Sequence, residues 1–160
     1  MTGKAEFTDE EWTRLKRGPF VAGMAISLSD PGGPIELAKE TAGTVKAIAA
    51  AAEQKDRGEL VTGLATEIAG ERKNPLSDFK PKGVTAGKEI LDEIAAVNAI
   101  VTEKASEADA VAFRAWLNDA AQEAANAAKE GGFFGFHATR VSEGEQRMLD
   151  SLREALAPPS

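Results

Sequence analysis

Cysteine is missing from this chain and histidine occurs once, at position 137. Without a thiol there is no disulfide frame, thiolate nucleophile, thiolate zinc site or iron–sulfur cluster. The lone histidine removes the paired Glu-x-x-His ligands of a di-iron bundle and the His-Glu-x-x-His motif of zinc hydrolases. Tyrosine is missing too and β-branched runs are few, whereas alanine is abundant. Strand-forming composition is therefore weak and helix-forming composition strong. No apolar run approaches the roughly 20 residues that cross a bilayer. The opening segment, with Glu6, Asp9, Glu10 and Glu11 and no basic start, does not have the pattern of a secretory signal.

Positive charge is in deficit: 19 Lys and Arg stand against 26 Asp and Glu, a net charge of −7 and a pI near 4.9. Such a chain repels phosphate backbones and anionic membranes, which weighs against nucleic acid as a partner. At 160 residues and 42% apolar composition it is long enough to bury a core without staples. The expectation is one helical domain over residues 1–160, soluble and cytoplasmic, with no membrane span.

Local signals divide that domain into helices. Thr8-Asp9-Glu10-Glu11 is a capping box, and Phe7 and Trp12 stand at the two staple positions around it. Gly18-Pro19 predicts a break, with Pro19 opening a second short helix to about Ser29 that carries Phe20, Val21, Met24, Ile26 and Leu28 into the core. Asp30-Pro31-Gly32-Gly33-Pro34 reads as a turn. Along residues 35–54 the stripe Ala38, Ala42, Val45, Ala49 and Ala52 predicts an amphipathic helix, and Val61, Leu64 and Ile68 predict another from Asp56 to about Glu71. Residues 72–84, with Pro75, Pro81 and Gly83, predict the longest and most mobile loop.

Beyond it, Thr85 is placed to cap a helix through Lys104 with Ile90, Ile94, Val97 and Val101 on one face. Ser106 is placed to cap a helix from Glu107 to Lys129 that buries Phe113, Trp116, Leu117, Ala120, Ala124 and Ala128. A second capping box, Ser142 to Glu145, opens a last helix with Met148, Leu149, Leu152 and Leu156 inward. Residues 157–160 are expected to form a short disordered end. The sum is an all-α, single-domain bundle of six to seven helices.

Two places hold the candidate chemistry. The glycine-rich segment Gly131-Gly132-Phe133-Phe134-Gly135-Phe136-His137 gathers three aromatics and the only histidine. Phe133, Phe134, Phe136 and His137 either fold back to plug the bundle end or form an apolar patch for a partner. Asp30, Glu36 and Glu40 are the best-spaced carboxylates for a hard divalent cation, against the plainer reading of a solvated helix face. Ser77-Asp78-Phe79-Lys80 matches Ser-x-x-Lys but lies between prolines, off any helix turn. His137 has no glycine-flanked serine elbow beside it. No catalytic constellation emerges, and no cofactor is called for.

Several words of the chain together resemble a family of small bacterial helical proteins that carry no established activity. They are Trp12, Pro19 to Met24, Asp30 to Pro34, Lys39-Glu40, Phe113-Arg114-Ala115-Trp116-Leu117, and Lys129 to Phe133 through Val141-Ser142-Glu143. More remotely, the helical layout and the helix start Val141-Ser142 to Glu145 are similar to tellurite-resistance B-like proteins. That resemblance implies an all-helical, cytoplasmic protein concerned with stress response and metal binding. The acidic turn expected before such a helix is replaced here by Gly135-Phe136-His137.

The reading is thus a non-enzymatic accessory or stress-related protein that binds a protein partner or itself. The rivals are a divalent-cation binder using Asp30, Glu36 and Glu40, and a carrier of a small apolar ligand lined by Phe20, Met24, Phe113, Trp116 and Phe133.

Overall fold

The computed structural model describes residues 3–29, 44–51, 53, 57–71, 76, 79, 81, 85–130 and 143–158, with the side chains of 127–130 outside that set. Among the described residues there is no strand, and six α-helices are present: α1 (Asp9–Ser29), α2 (44–51), α3 (Gly58–Gly70), α4 (Ala86–Lys104), α5 (Glu107–Glu130) and α6 (Glu143–Ala155). The molecule is an all-α bundle. One continuous apolar cluster draws residues from all six helices. Helices α1 and α5 form its centre, packing against each other and each touching α3, α4 and α6.

The opening of α1 follows its local code. The Glu11 N–H donates to Thr8 Oγ1 at 3.1 Å, and the Phe7 and Trp12 rings lie 5.8 Å apart, both buried, as a hydrophobic staple requires. The Glu11 carboxylate then reaches across the bundle to Lys104 Nζ at 2.6 Å. The break expected at Gly18-Pro19 does not occur, and α1 runs unbroken to Ser29 with Pro19 inside it. An interior proline costs about 3 kcal/mol. Here apolar burial on both sides offsets that cost, because Trp12 and Leu15 before it and Val21, Ala22, Ala25 and Ile26 after it are all in the core. Gly18 contributes by having no side chain, since a Cβ there would stand 3.2 Å from Leu117 Cδ2. Of the other residues expected inside, Phe20 and Met24 pack partly buried and Leu28 is exposed.

In α2 the buried face is Thr44, Ala47, Ile48 and Ala51, while Val45 is 50% exposed and Ala49 is exposed. At its two described positions, Val45 and Ala49, the expected stripe is therefore out of phase by about one residue, while Ala38, Ala42 and Ala52 lie outside the described residues. Ile48, the largest apolar side chain of the segment, sets which face turns inward. Gly23 of α1 faces this helix, and a Cβ on it would collide with Thr44 Oγ1.

The remaining helices keep the faces their periodicity predicts. Val61, Leu64 and Ile68 of α3, Ile90, Ile94, Val97 and Val101 of α4, Phe113, Trp116, Leu117, Ala120 and Ala124 of α5, and Leu149 and Leu152 of α6 with Leu156 just beyond it are buried, with Met148 partly so. Ser106 caps α5 as expected, accepting from the Asp109 N–H at 3.2 Å. Thr85 stands at the cap position of α4 but makes no capping bond, its hydroxyl lying 3.4 Å from Glu89 Oε2. Only Ala105 and Ser106 separate α4 from α5, so the two form a tight helical hairpin across which α6 packs.

Candidate functional site

Both clusters singled out by sequence lie outside the described residues: Phe133, Phe134, Phe136 and His137 in one, Asp30, Glu36 and Glu40 in the other. Ser77, Asp78 and Lys80 lie outside them as well. Among the described residues no group of three or more His, Cys, Asp or Glu side chains is placed to hold a metal ion. Of the residues proposed to line a ligand cavity, Phe113 and Trp116 are fully buried and packed edge to face at 6.1 Å, as core rather than as the wall of an open pocket.

The described surface carries a different feature. Between the C-terminal end of α4, the first turns of α5 and the C-terminal end of α6 lies an open groove of about 810 Å³. It is lined by the apolar side chains of Ala105, Ala110, Val111 and Leu156 and by the charged ones of Glu107, Arg114 and Arg153. Val111 is 56% exposed at the middle of one wall. It stands off the buried stripe of α5, an apolar side chain with no part in the core.

A polar latch ties the three helices together at the edge of the groove. Asn98 of α4, nearly buried, donates through Nδ2 to the carbonyls of Ala155 at 3.1 Å and Ala157 at 2.9 Å, satisfying two backbone acceptors at the end of α6. Its Oδ1 accepts from Arg114 Nε at 2.7 Å. Arg114 Nη2 donates to Thr102 Oγ1 at 2.8 Å, and Thr102 in turn donates to the Asn98 carbonyl at 2.7 Å. Three helices are thereby fixed to one another at this edge. A polar residue adjoining the apolar stripe of α4 is the only sign of this latch in the sequence.

Arg114 is half-buried, and among the described residues its partners are neutral oxygens, not carboxylates. Several other cations of the described surface are paired with carboxylates. Glu67 receives Lys16 at 3.1 Å, Lys4 at 3.3 Å and the Trp12 indole N–H at 3.1 Å. Burial pushes the Glu67 carboxyl up, but the hydrogen bonds from Lys16, Trp12 and Lys4 outweigh it and hold its pKa below the ordinary value. Glu93 takes Arg14 at 2.9 Å and Arg17 at 3.4 Å, which raises the Arg14 pKa chiefly through that hydrogen bond. The smaller hollow between α2 and α5, about 320 Å³, has its cations matched in the same way, Arg57 to Asp119 at 2.6 Å and Lys46 to Glu123 at 3.8 Å. In the α4–α5–α6 groove Arg153 is paired with Asp150 at 3.2 Å, whereas the fixed Arg114 guanidinium, beside apolar side chains, has N–H groups to spare for an anion.

No protein-family model, curated protein or solved structure matches this chain. Its function is therefore read from its own residues.

Proposed function

We propose that this chain is a non-enzymatic helical module that acts by binding protein, and that the groove between α4, α5 and α6 is its binding face. The observation that carries this reading is the pairing of an exposed Val111 with Arg114 in one groove. An apolar anchor beside a directed charge is the composition of a recognition site: the first supplies area to bury and the second fixes register. The latch of Asn98, Thr102 and Arg114 supports it further, because a preorganised wall lowers the ordering cost of binding.

A photo-crosslinking side chain placed at residue 111 in producing cells tests the reading, with the same probe at Val45 as the control. Both positions are about half exposed. Discrete protein adducts at 111 that the probe at 45 does not give are expected. Equal, weak labelling at both positions would contradict the reading.

A further inference from the structure

We propose that the occupant of this groove is a second copy of the same chain, docked two-fold about Val111 so that the α5 helices run antiparallel. The inference rests on the groove being a protein-binding face, and it adds the identity and orientation of the partner. Its basis is a charge pattern. Glu107, Val111 and Arg114 lie four and three residues apart on α5, at successive turns of one side, and all three line the groove. The acidic residue precedes the apolar one and the basic residue follows it.

A surface with that order is complementary to itself when reversed. In an antiparallel pair centred on Val111 the two valines meet at the axis, and Glu107 of each copy comes beside Arg114 of the other. One isologous contact then makes two ion pairs. Each supplies the carboxylate that Arg114 does not find among the described residues of its own chain. Exposed Ala108 and Ala115 flank Val111 on the same side, so the two helices can approach closely. A parallel pairing would place Glu107 against Glu107 and Arg114 against Arg114, which like-charge repulsion disfavours.

The full chain contains no cysteine, so a single introduced thiol reports its own geometry. Val111→Cys is expected to form a disulfide-linked dimer on mild oxidation, because residues at the axis bring their Cα atoms within the roughly 7 Å a disulfide spans. Val45→Cys, similarly exposed, is the control and is expected to stay monomeric. Sedimentation equilibrium is expected to show wild-type chain associating with rising concentration. Glu107→Arg is expected to weaken that association at least about tenfold, since it sets one guanidinium against another at both ends of the contact. Mixing Glu107→Arg with Arg114→Glu is expected to restore it, because each copy then meets an opposite charge.

Glu107 is exposed, so Glu107→Arg keeps the comparison clean should Arg114→Glu disturb the latch, and a melt of each variant separates the two effects. A wild-type chain that stays monomeric up to about 100 µM, or a dimer that Val111→Cys does not link beyond the control, would overturn the two-fold arrangement. Discrete adducts at residue 111 to a different protein, with the chain itself monomeric, would overturn it too and leave the groove as a protein-binding face. Equal labelling at 111 and 45 would remove both.

Discussion

Gly58 lies directly against Asp109: it has φ +85°, and a Cβ added to it would stand 2.5 Å from Asp109 Oδ1. Asp109 is only 5% exposed. Its carboxylate takes the Leu60 N–H of α3 at 3.5 Å through Oδ1 and the Ser106 hydroxyl at 3.0 Å through Oδ2. One buried acid therefore sits at the starts of two helices, where exposed N–H groups and both helix dipoles favour negative charge. Glycine is required opposite it for two separate reasons, the left-handed backbone and the space the carboxylate fills.

Gly58→Ala should accordingly destabilise the protein by about 2 kcal/mol or more, combining left-handed strain with displacement of the acid. Asp109→Ala should cost about 1 to 3 kcal/mol through the lost bonds at both helix starts, and Asp109→Asn less, because it keeps an acceptor. Urea denaturation followed by circular dichroism gives these differences. An unchanged midpoint for Gly58→Ala would refute the contact.

The approach of α1 to α2 makes a coupled prediction. Gly23→Ala should destabilise because its methyl collides with Thr44 Oγ1. Thr44→Ala should recover part of that loss and Thr44→Ser should not, since serine keeps the oxygen. A double-mutant cycle should return a coupling of about 1 kcal/mol or more for the alanine pair. Additive effects would show that the two residues do not touch.

Acid sensitivity follows from Glu67. Its folded pKa is lowered, burial opposing and the Lys16, Trp12 and Lys4 hydrogen bonds prevailing. A depressed carboxylate contributes stability that is present above its unfolded value near 4.5 and is lost as pH falls through the folded value. Glu67→Gln should therefore lower stability by about 1 kcal/mol at pH 7, and the gap to wild type should narrow as pH falls below the unfolded value near 4.5. Glu11, lowered chiefly by its Lys104 hydrogen bond, acts in the same direction. A gap that stays constant from pH 7 to pH 3 would show that Glu67 is not the titrating group.

The latch at Asn98 carries the fourth prediction. Asn98→Leu keeps the branched shape but strands two carbonyls at the end of α6 and removes an acceptor from Arg114. A loss of about 2 to 3 kcal/mol is expected. Hydrogen exchange should quicken in α6 before it does in α3, since the latch touches only the former. Uniform quickening would argue against a local role.

Much of this architecture is legible locally. The staple of Phe7 and Trp12, the caps at Thr8 and Ser106, and the inward faces of α3 to α6 follow from residue type and three-to-four spacing. The expectations fail where tertiary packing overrules a local rule. Pro19 predicts a break because a proline ends an isolated helix, whereas apolar burial on both sides of it carries α1 through. The phase of α2 goes astray because alanines say little about which side faces in. Asp109 resembles an ordinary first-turn acid, and its second role depends on Leu60, 49 residues earlier. The groove is harder still to see, since it exists only where α6 crosses the α4–α5 hairpin. Val111 is nonetheless visible as an apolar residue off the buried stripe of its helix, and that is the one signal of the groove in the sequence.

The most direct test of the account is to identify the peptide that a crosslinker at residue 111 captures, using a mixture of isotopically light and heavy chains so that contacts between copies are distinguished from those within one. The account predicts an intermolecular link from residue 111 to the Glu107–Arg114 stretch of a second copy. Links confined to a single copy, with no other protein attached, would contradict the claim that this groove is where the protein binds.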